Sequence, residues 1–151
     1  MELARSAGVE DRTACAHLLA LALGAAASMR GGPALIGDAT PATLLARWTS
    51  PEGAAALFVG EYEGAVVGVL GLTEAHTSTG PRSLVECCFV EEGARGVGVG
   101  SALLDAAVAW SSRRGCAEID AVALPGDRGT KQRLEGAGFT ARLLTLSRRL
   151  G

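Results

Sequence analysis

A chain of 151 residues, 48% hydrophobic and 20% charged, is long and apolar enough to bury a substantial core as one soluble domain, which excludes an intrinsically disordered chain. A formal net charge of −2, with Lys131 the one lysine, excludes a global basic field for nucleic acid or an anionic membrane. No apolar run approaches the roughly 18 residues of a membrane span, and no charged start with an apolar run and cleavage site opens the chain, so no membrane partner and a cytoplasmic location are expected.

Glu2–Ala7 reads as a short first strand broken by Gly8, followed by a helix over about Val9–Leu23. Ala14, Leu18, Leu19 and Ala22 share one face of it, and Gly24 is the expected stop. Ala25–Ala39 is small and poorly periodic, a frayed helix turn or a loop. Thr40-Pro41 supplies an N-cap and a first-position proline for a short helix through Trp48. Ala54–Tyr62 and Ala65–Thr73 read as paired strands around a Glu63-Gly64 turn, and polar Glu74–Arg82 reads as a loop.

Ser83–Val90 reads as a buried strand, Glu91–Gly100 as a glycine-rich loop, and Ser101–Trp110 as an amphipathic helix ending at Arg113-Arg114-Gly115. Ala117–Ala123 is the next strand. Asp127 is the N-cap of another helix that runs to Gly136-Ala137-Gly138. Phe139–Leu150, with Leu144, Leu146 and Leu150, reads as a final strand or pair. The order is βα(α)ββ followed by βαβαβ, a mixed α/β domain with no internal division. Cys15, Cys87, Cys88 and Cys116 lack metal-ligand spacing, and His17 and His76 lie far from them, so reduced thiols and no metal site are expected.

Three readings of the loop are open on residues alone. It is a turn that merely joins strand to helix, a dinucleotide-binding turn, or a phosphate cradle of another kind. Three glycines at every second position exceed what a turn needs, because each costs roughly 0.5–1 kcal/mol in regular structure. Dinucleotide folds use G-x-G-x-x-G directly after a strand, whereas here the spacing is G-x-G-x-G and five residues separate Val90 from Gly96. Backbone amides at a helix N-terminus with little side chain around them suit phosphate in any case.

The segment VEEGARGVGVGSALL resembles the acyl-CoA-binding motif of the GCN5-related N-acetyltransferases (GNAT). Members carry Arg or Gln, then x-x-G-x, then Gly or Ala after their fourth strand, and Arg95, Gly98 and Gly100 match all three positions. The likeness extends from about Val85 to the closing Gly138-Phe139. It implies a single GNAT-like domain of class α/β (α+β) over residues 1–151, with a mixed, mostly antiparallel sheet of six to seven strands. About four helices flank that sheet, and it splays between the fourth and fifth strands. It also implies acetyl-CoA as the acyl-donor co-substrate, with the pantetheine arm pairing along Cys88, Phe89 and Val90. The diphosphate is then held by Arg95, Gly96, Val97, Gly98, Val99, Gly100 and Ser101. Asp127 occupies the place of a family asparagine, where helix capping explains it equally well.

The implied activity is direct acetyl transfer to a primary amine of a small molecule or a peptide N-terminus; the alternative is a CoA-binding regulatory module with little turnover. An amine nucleophile needs a proton acceptor. Glu86, in an apolar strand near the expected acetyl end, is the first candidate base. Asp120, sharing a strand face with Glu118 and Val122, is the second, and His76 is a loop residue within reach. The chain departs from the family pattern at Val122, where one branch carries a glutamate base, and at Leu134, where a tyrosine commonly protonates the leaving thiolate. By the same resemblance Ala25–Ala39 and Glu74–Arg82 are the acceptor-facing segments, with Met29, Arg30 and Arg82 able to meet a carboxylate. A homodimer through the leucine-rich C-terminal strand is a further expectation.

Overall fold

The structure, a computed structural model, describes residues 3–151. Five strands form one sheet in the order β1-β2-β3-β4-β5: β1 Ala4–Ser6, β2 Ala55–Tyr62, β3 Ala65–Thr77, β4 Gly80–Val90 and β5 Glu118–Ala121. The first four are antiparallel neighbours, and β5 joins β4 in parallel. The first strand is thus shorter than the expected Glu2–Ala7, and Glu2 lies outside the described residues.

Helix α1 spans Arg12–Ala27 after a 3-10 turn at Val9–Asp11. It runs past Gly24, because Ala25–Ala27 favour helix and nothing lies near that glycine to force a stop. Helix α2, Gly32–Ile36, is a single short turn of the weakly periodic segment. Helix α3, Pro41–Trp48, begins as its sequence dictates: Thr43 N donates to Thr40 Oγ1 at 3.1 Å, and Thr40 N to Thr43 Oγ1 at 2.9 Å. Helix α4 covers Val99–Arg113 and α5 covers Arg128–Gly136. No helix among the described residues is long and apolar enough to cross a membrane.

The alternating faces of the sheet build two cores. Val59, Val69 and Leu57 pack with Leu18, Leu19, Leu45 and Trp48 of α1 and α3. Phe58, Leu70, Leu72, Val85 and Val90 pack with Val99, Leu103, Leu104 and Ala107 of α4. Two register partners, Gly60 and Gly68, lie under α4. A Cβ at Gly68 would stand 3.0 Å from Leu103 and 3.1 Å from Val99, and one at Gly60 would overlap Val99. The helix therefore rests on bare backbone.

Four expectations are corrected. The polar stretch Glu74–Arg82 is a hairpin rather than a loop: β3 continues to Thr77 and β4 starts at Gly80, with Ala75 opposite Arg82 and Thr77 opposite Gly80. Cross-strand pairing overrides its polarity. The sheet has five strands among the described residues, not six to seven. Residues 140–151 contain no strand and are all exposed, with Leu143, Leu144, Leu146 and Leu150 at 76–90% accessibility. Their β-forming pattern is intact, but among the described residues they join no ladder, although Arg142 reaches Asp120 of β5. Among the described residues the α-helices number five, because the weakly periodic stretch yields the short α2.

The expected Ala117–Ala123 strand shortens to the four residues of β5, which pair only with Arg82–Val85. From Glu86 to Val90, β4 has no paired neighbour on that side among the described residues, so the sheet opens where the two strands part.

Candidate functional site at the β4–α4 junction

Gly96 and Gly98 adopt φ of 87° and 90°, a left-handed conformation that side-chain-bearing residues enter at a cost of about 1–2 kcal/mol. Gly98 is also the N-cap of α4, without a side-chain cap. The first intrahelical bond there runs from Ala102 N to Gly98 O. The amides of Val99, Gly100 and Ser101 are therefore the orphan donors of the first turn. Arg95 fixes the loop from behind: its Nε donates to Val90 O at 3.0 Å and its guanidinium stands 5.8 Å from the Phe89 ring centroid.

These elements surround an open groove of about 420 Å3, lined by Val90, Ala94, Arg95, Gly96, Gly98, Val99, Gly100, Ser101, Gly129, Gln132 and Arg133. Seven residues singled out in the sequence meet here: Val90, Arg95, Gly96, Gly98, Val99, Gly100 and Ser101. Val99 is 1% exposed and serves mainly to anchor α4. Val97 does not line the groove.

Four lining residues were not singled out in the sequence, Ala94, Gly129, Gln132 and Arg133, and Arg133 on α5 is the charged one. It reaches across to Gly100, where a Cβ would come within 2.5 Å of Nε. It also lies against the Cys88 thiol, drawing its pKa down while burial pushes it up. The groove thus gathers two arginines and the positive end of α4, with no carboxylate among its lining residues. A cation beside a helix N-terminus is unfavourable on its own, so this arrangement suits an anionic ligand. The signal was present in the sequence, since Arg133 adjoins Leu134, but helical phase decides which of the two faces the groove. Leu134 is 8% exposed and belongs to the core.

The β4 edge supplies the second half of the site. Gly71 and Leu72 of β3 pair with Cys87 and Val85, leaving Glu86 as the extra residue of a β-bulge. A bulge re-aims side chains: Val85, Cys88 and Val90 all face the α4 core, while Cys87 and Phe89 face α1 and α3. Glu86 is turned toward α3. Trp48 Nε1 donates to its Oε1 at 2.8 Å and Arg47 Nη1 to its Oε2 at 2.9 Å. The carboxylate is one-fifth exposed. Burial pushes the Cys87 thiol up to about 12, so neither thiol of the pair is an ionised nucleophile near neutral pH.

The remaining candidates lie elsewhere. Asp120 accepts from Arg82 Nε at 2.7 Å and from Arg142 Nη2 at 2.8 Å, and Arg82, with Arg142 behind it, holds this carboxyl below the usual range. Such a group resists taking a proton. Asp127 caps α5, accepting from Thr130 N at 3.2 Å and Thr130 Oγ1 at 2.6 Å. His76 is an exposed side chain in the β3–β4 hairpin, 3.2 Å from Glu74. Among the described residues no group of acidic, cysteine and histidine side chains is placed to hold a metal.

The model of the acetyltransferase (GNAT) family matches residues 28–139. No curated protein matches the chain. Among solved structures, the tetramutant of the BH1408 protein from Bacillus halodurans superposes with a TM-score of 0.81 at 16% identity, over 98% of this chain and 99% of that one. A ribosomal-protein-alanine N-acetyltransferase from Brucella melitensis biovar Abortus 2308 gives 0.71 at 17% identity, over 97% and 99%. A predicted acetyltransferase from Clostridium acetobutylicum, solved with acetyl-CoA, gives 0.71 at 15% identity, over 97% and 94%. At these identities the likeness is one of fold.

Proposed function

The chain belongs to the acetyltransferase (GNAT) family, and from that premise we propose that it binds acetyl-CoA in the β4–α4 groove and transfers the acetyl group directly to a primary amine. The acceptor is a small molecule or a peptide N-terminus. The observation that carries this reading is the groove itself: orphan amides of α4 and two arginines, with no carboxylate lining it.

The residues present fit the co-substrate. The amides from Gly96 to Ser101 are suited to the diphosphate, with Arg133 closing over it from α5. Beyond Val85, β4 offers a free edge along Cys88, Phe89 and Val90, where an amide-bearing pantetheine arm can add like a strand. The thioester supplies an activated acyl group. It would lie toward the bulge, where a backbone N–H of β4 polarises its carbonyl.

Glu86 is the base in this reading. Two donors fix its orientation, and a carboxylate has about four acceptor positions, so lone pairs remain for the proton of the incoming amine. Amine attack forms the C–N bond and expulsion of the thiolate breaks the C–S bond. The sulfur takes its proton from solvent or from the ammonium of the tetrahedral adduct, because Leu134 has none to give. Asp120 is assigned to bracing β5 against β4 through Arg82, and Asp127 to capping α5.

A second reading, a CoA-binding module with little turnover, is favoured by the buried Leu134 alone. Two measurements separate the possibilities. Acetyl-CoA at millimolar concentration is expected to raise the melting temperature, since ligand that binds only the folded state must do so. Thiol release on a panel of amines then distinguishes enzyme from module. No thermal shift sinks both readings.

A further inference from the structure

Arg47 stands beside Glu86 with most of its donors unspent. It lies in the last turn of α3, where the carbonyl end of the helix favours a cation. Its Nη1 donates to Glu86 Oε2 at 2.9 Å, its one side-chain hydrogen bond among the described residues. A guanidinium carries five N–H groups in a planar fork, so an edge of this one is open to a further partner. The Arg47 side chain is 55% exposed and that of Glu86 is 20% exposed. An ion pair at such a boundary contributes little stability and opens at little cost.

The other charged groups of β4 and β5 are already committed to one another. Arg82 gives Nε and Nη2 to Asp120 at 2.7 and 3.1 Å, and Nη1 and Nη2 to Glu118 at 2.9 and 3.1 Å. Asp120 takes a further bond from Arg142. Arg82, which the sequence offers as a contact for a carboxylate, therefore has its fork filled from within the fold. Arg47 and Glu86 differ from this cluster. They are opposite charges 2.9 Å apart, and each keeps hydrogen-bonding capacity for a ligand.

We propose that the acceptor is a free α-amino acid, its amine meeting Glu86 and its carboxylate held by the open edge of the Arg47 guanidinium. An α-amino acid carries its two groups one carbon apart, a spacing comparable to that of the Arg47–Glu86 pair, so it presents the same two charges in reverse. The planar fork of arginine matches a carboxylate with two parallel bonds. A peptide N-terminus has a neutral amide where the amino acid has its carboxylate, and leaves the guanidinium unmatched. A polyamine brings a second cation against it. Arg47 thus selects for an anionic group beside the amine. The inference rests on the reading of Glu86 as the base and narrows the acceptor within it.

The test is calorimetric titration of the common L-α-amino acids, each against its own carboxamide, into the free protein and into the protein saturated with CoA. At least one amino acid is expected to bind about tenfold or more tightly than its carboxamide, as one charge-assisted contact supplies. Arg47→Gln should bring that ratio to about one, and Arg47→Lys, which keeps the charge without the fork, should restore part of it. Equal affinities for acid and carboxamide in the unaltered protein overturn the proposal, as does binding of no amino acid. A ratio that survives Arg47→Gln overturns it too, because a guanidinium that only orients Glu86 would act on both ligands alike. Binding is read without turnover, so the two failures are told apart. Amino-acid binding governed by Arg47 without acetyl transfer would remove the base from Glu86 and retain this selection. Acetyl transfer to acids and carboxamides with equal kcat/KM would retain the activity and remove the selection.

Discussion

Trp48 and Glu86 lie 38 residues apart and meet at 2.8 Å through the indole Nε1 and the carboxylate, because Gly71 leaves room for the indole against the sheet beside the bulge. A Cβ at Gly71 would overlap the Trp48 ring. Trp48→Phe keeps an aromatic ring in that space and deletes only the donor. Hydrogen bonds to charged groups contribute about 1.5–3 kcal/mol, so kcat/KM on any amine that the protein acetylates should fall about tenfold or more. The affinity for acetyl-CoA should stay within about a factor of two. An unchanged kcat/KM would detach this pair from catalysis.

Glu86→Gln preserves shape and removes the proton acceptor. Loss of a general base lowers the rate by about 10²–10⁴. The acidic limb of the pH–rate profile should vanish with it, whereas the thermal shift given by acetyl-CoA should persist. A variant with the parental rate and profile would transfer the role to another group.

Gly100 lies in the first turn of α4 with Arg133 folded over it. Although the family pattern admits alanine at this position, Gly100→Ala should displace the guanidinium from the groove. Replacing a helical glycine by alanine is itself stabilising by about 0.5–1 kcal/mol. The expected signature is therefore a melting temperature equal to or above the parent's, with acetyl-CoA affinity reduced several-fold by calorimetry. Reduced stability with intact affinity would contradict the arrangement of Gly100 and Arg133.

Arg133→Gln should weaken acetyl-CoA roughly tenfold, the value of one charge-assisted contact of about 1.4 kcal/mol. It should leave acetyl-pantetheine, which lacks the diphosphate, unaffected. Equal losses on both donors would place the guanidinium at the thiol end of the groove instead.

Asp11 is 4% exposed, accepts from Arg5 at 2.7 and 2.9 Å and from Gly8 N at 2.7 Å, and is held below its ordinary value of 3.8 chiefly by Arg5. A carboxylate with a depressed folded-state pKa stabilises fully above its unfolded value and loses that contribution as pH falls through the folded one. Melting temperatures of the parent and Asp11→Asn should therefore differ most above about pH 4 and converge in stronger acid. A difference constant with pH would show that the pair contributes only through packing.

The glycine loop was legible because its requirement is local: φ values near 90° at Gly96 and Gly98 admit few other residues. The caps at Thr40 and Asp127 were legible for the same reason. The bulge at Glu86 was not, since it exists only relative to the register of β3. Nothing in SLVECCFV marks the extra residue. Glu74–Arg82 looked like a loop because its residues are polar, yet its pairing is set by the strands on either side. Phe139–Leu150 had the composition of a strand, but a strand is a relation between two segments, and composition alone does not supply the second one. The choice between Arg133 and Leu134 turned on helical phase, fixed by Leu134 entering the α4 core.

The seating of α4 on Gly60 and Gly68 has a consequence for where binding is encoded. The helix presents its amides from a height set by two residues that no ligand touches. A methyl group at Gly68 would press on Leu103 and Val99 from 3.0 and 3.1 Å, acting directly beneath the first turn, to which Val99 belongs. Substitutions on β2 and β3 should therefore appear in a binding screen as losses of ligand affinity with little change in the groove's own residues, and the determinants of recognition extend through the sheet to its opposite register partner.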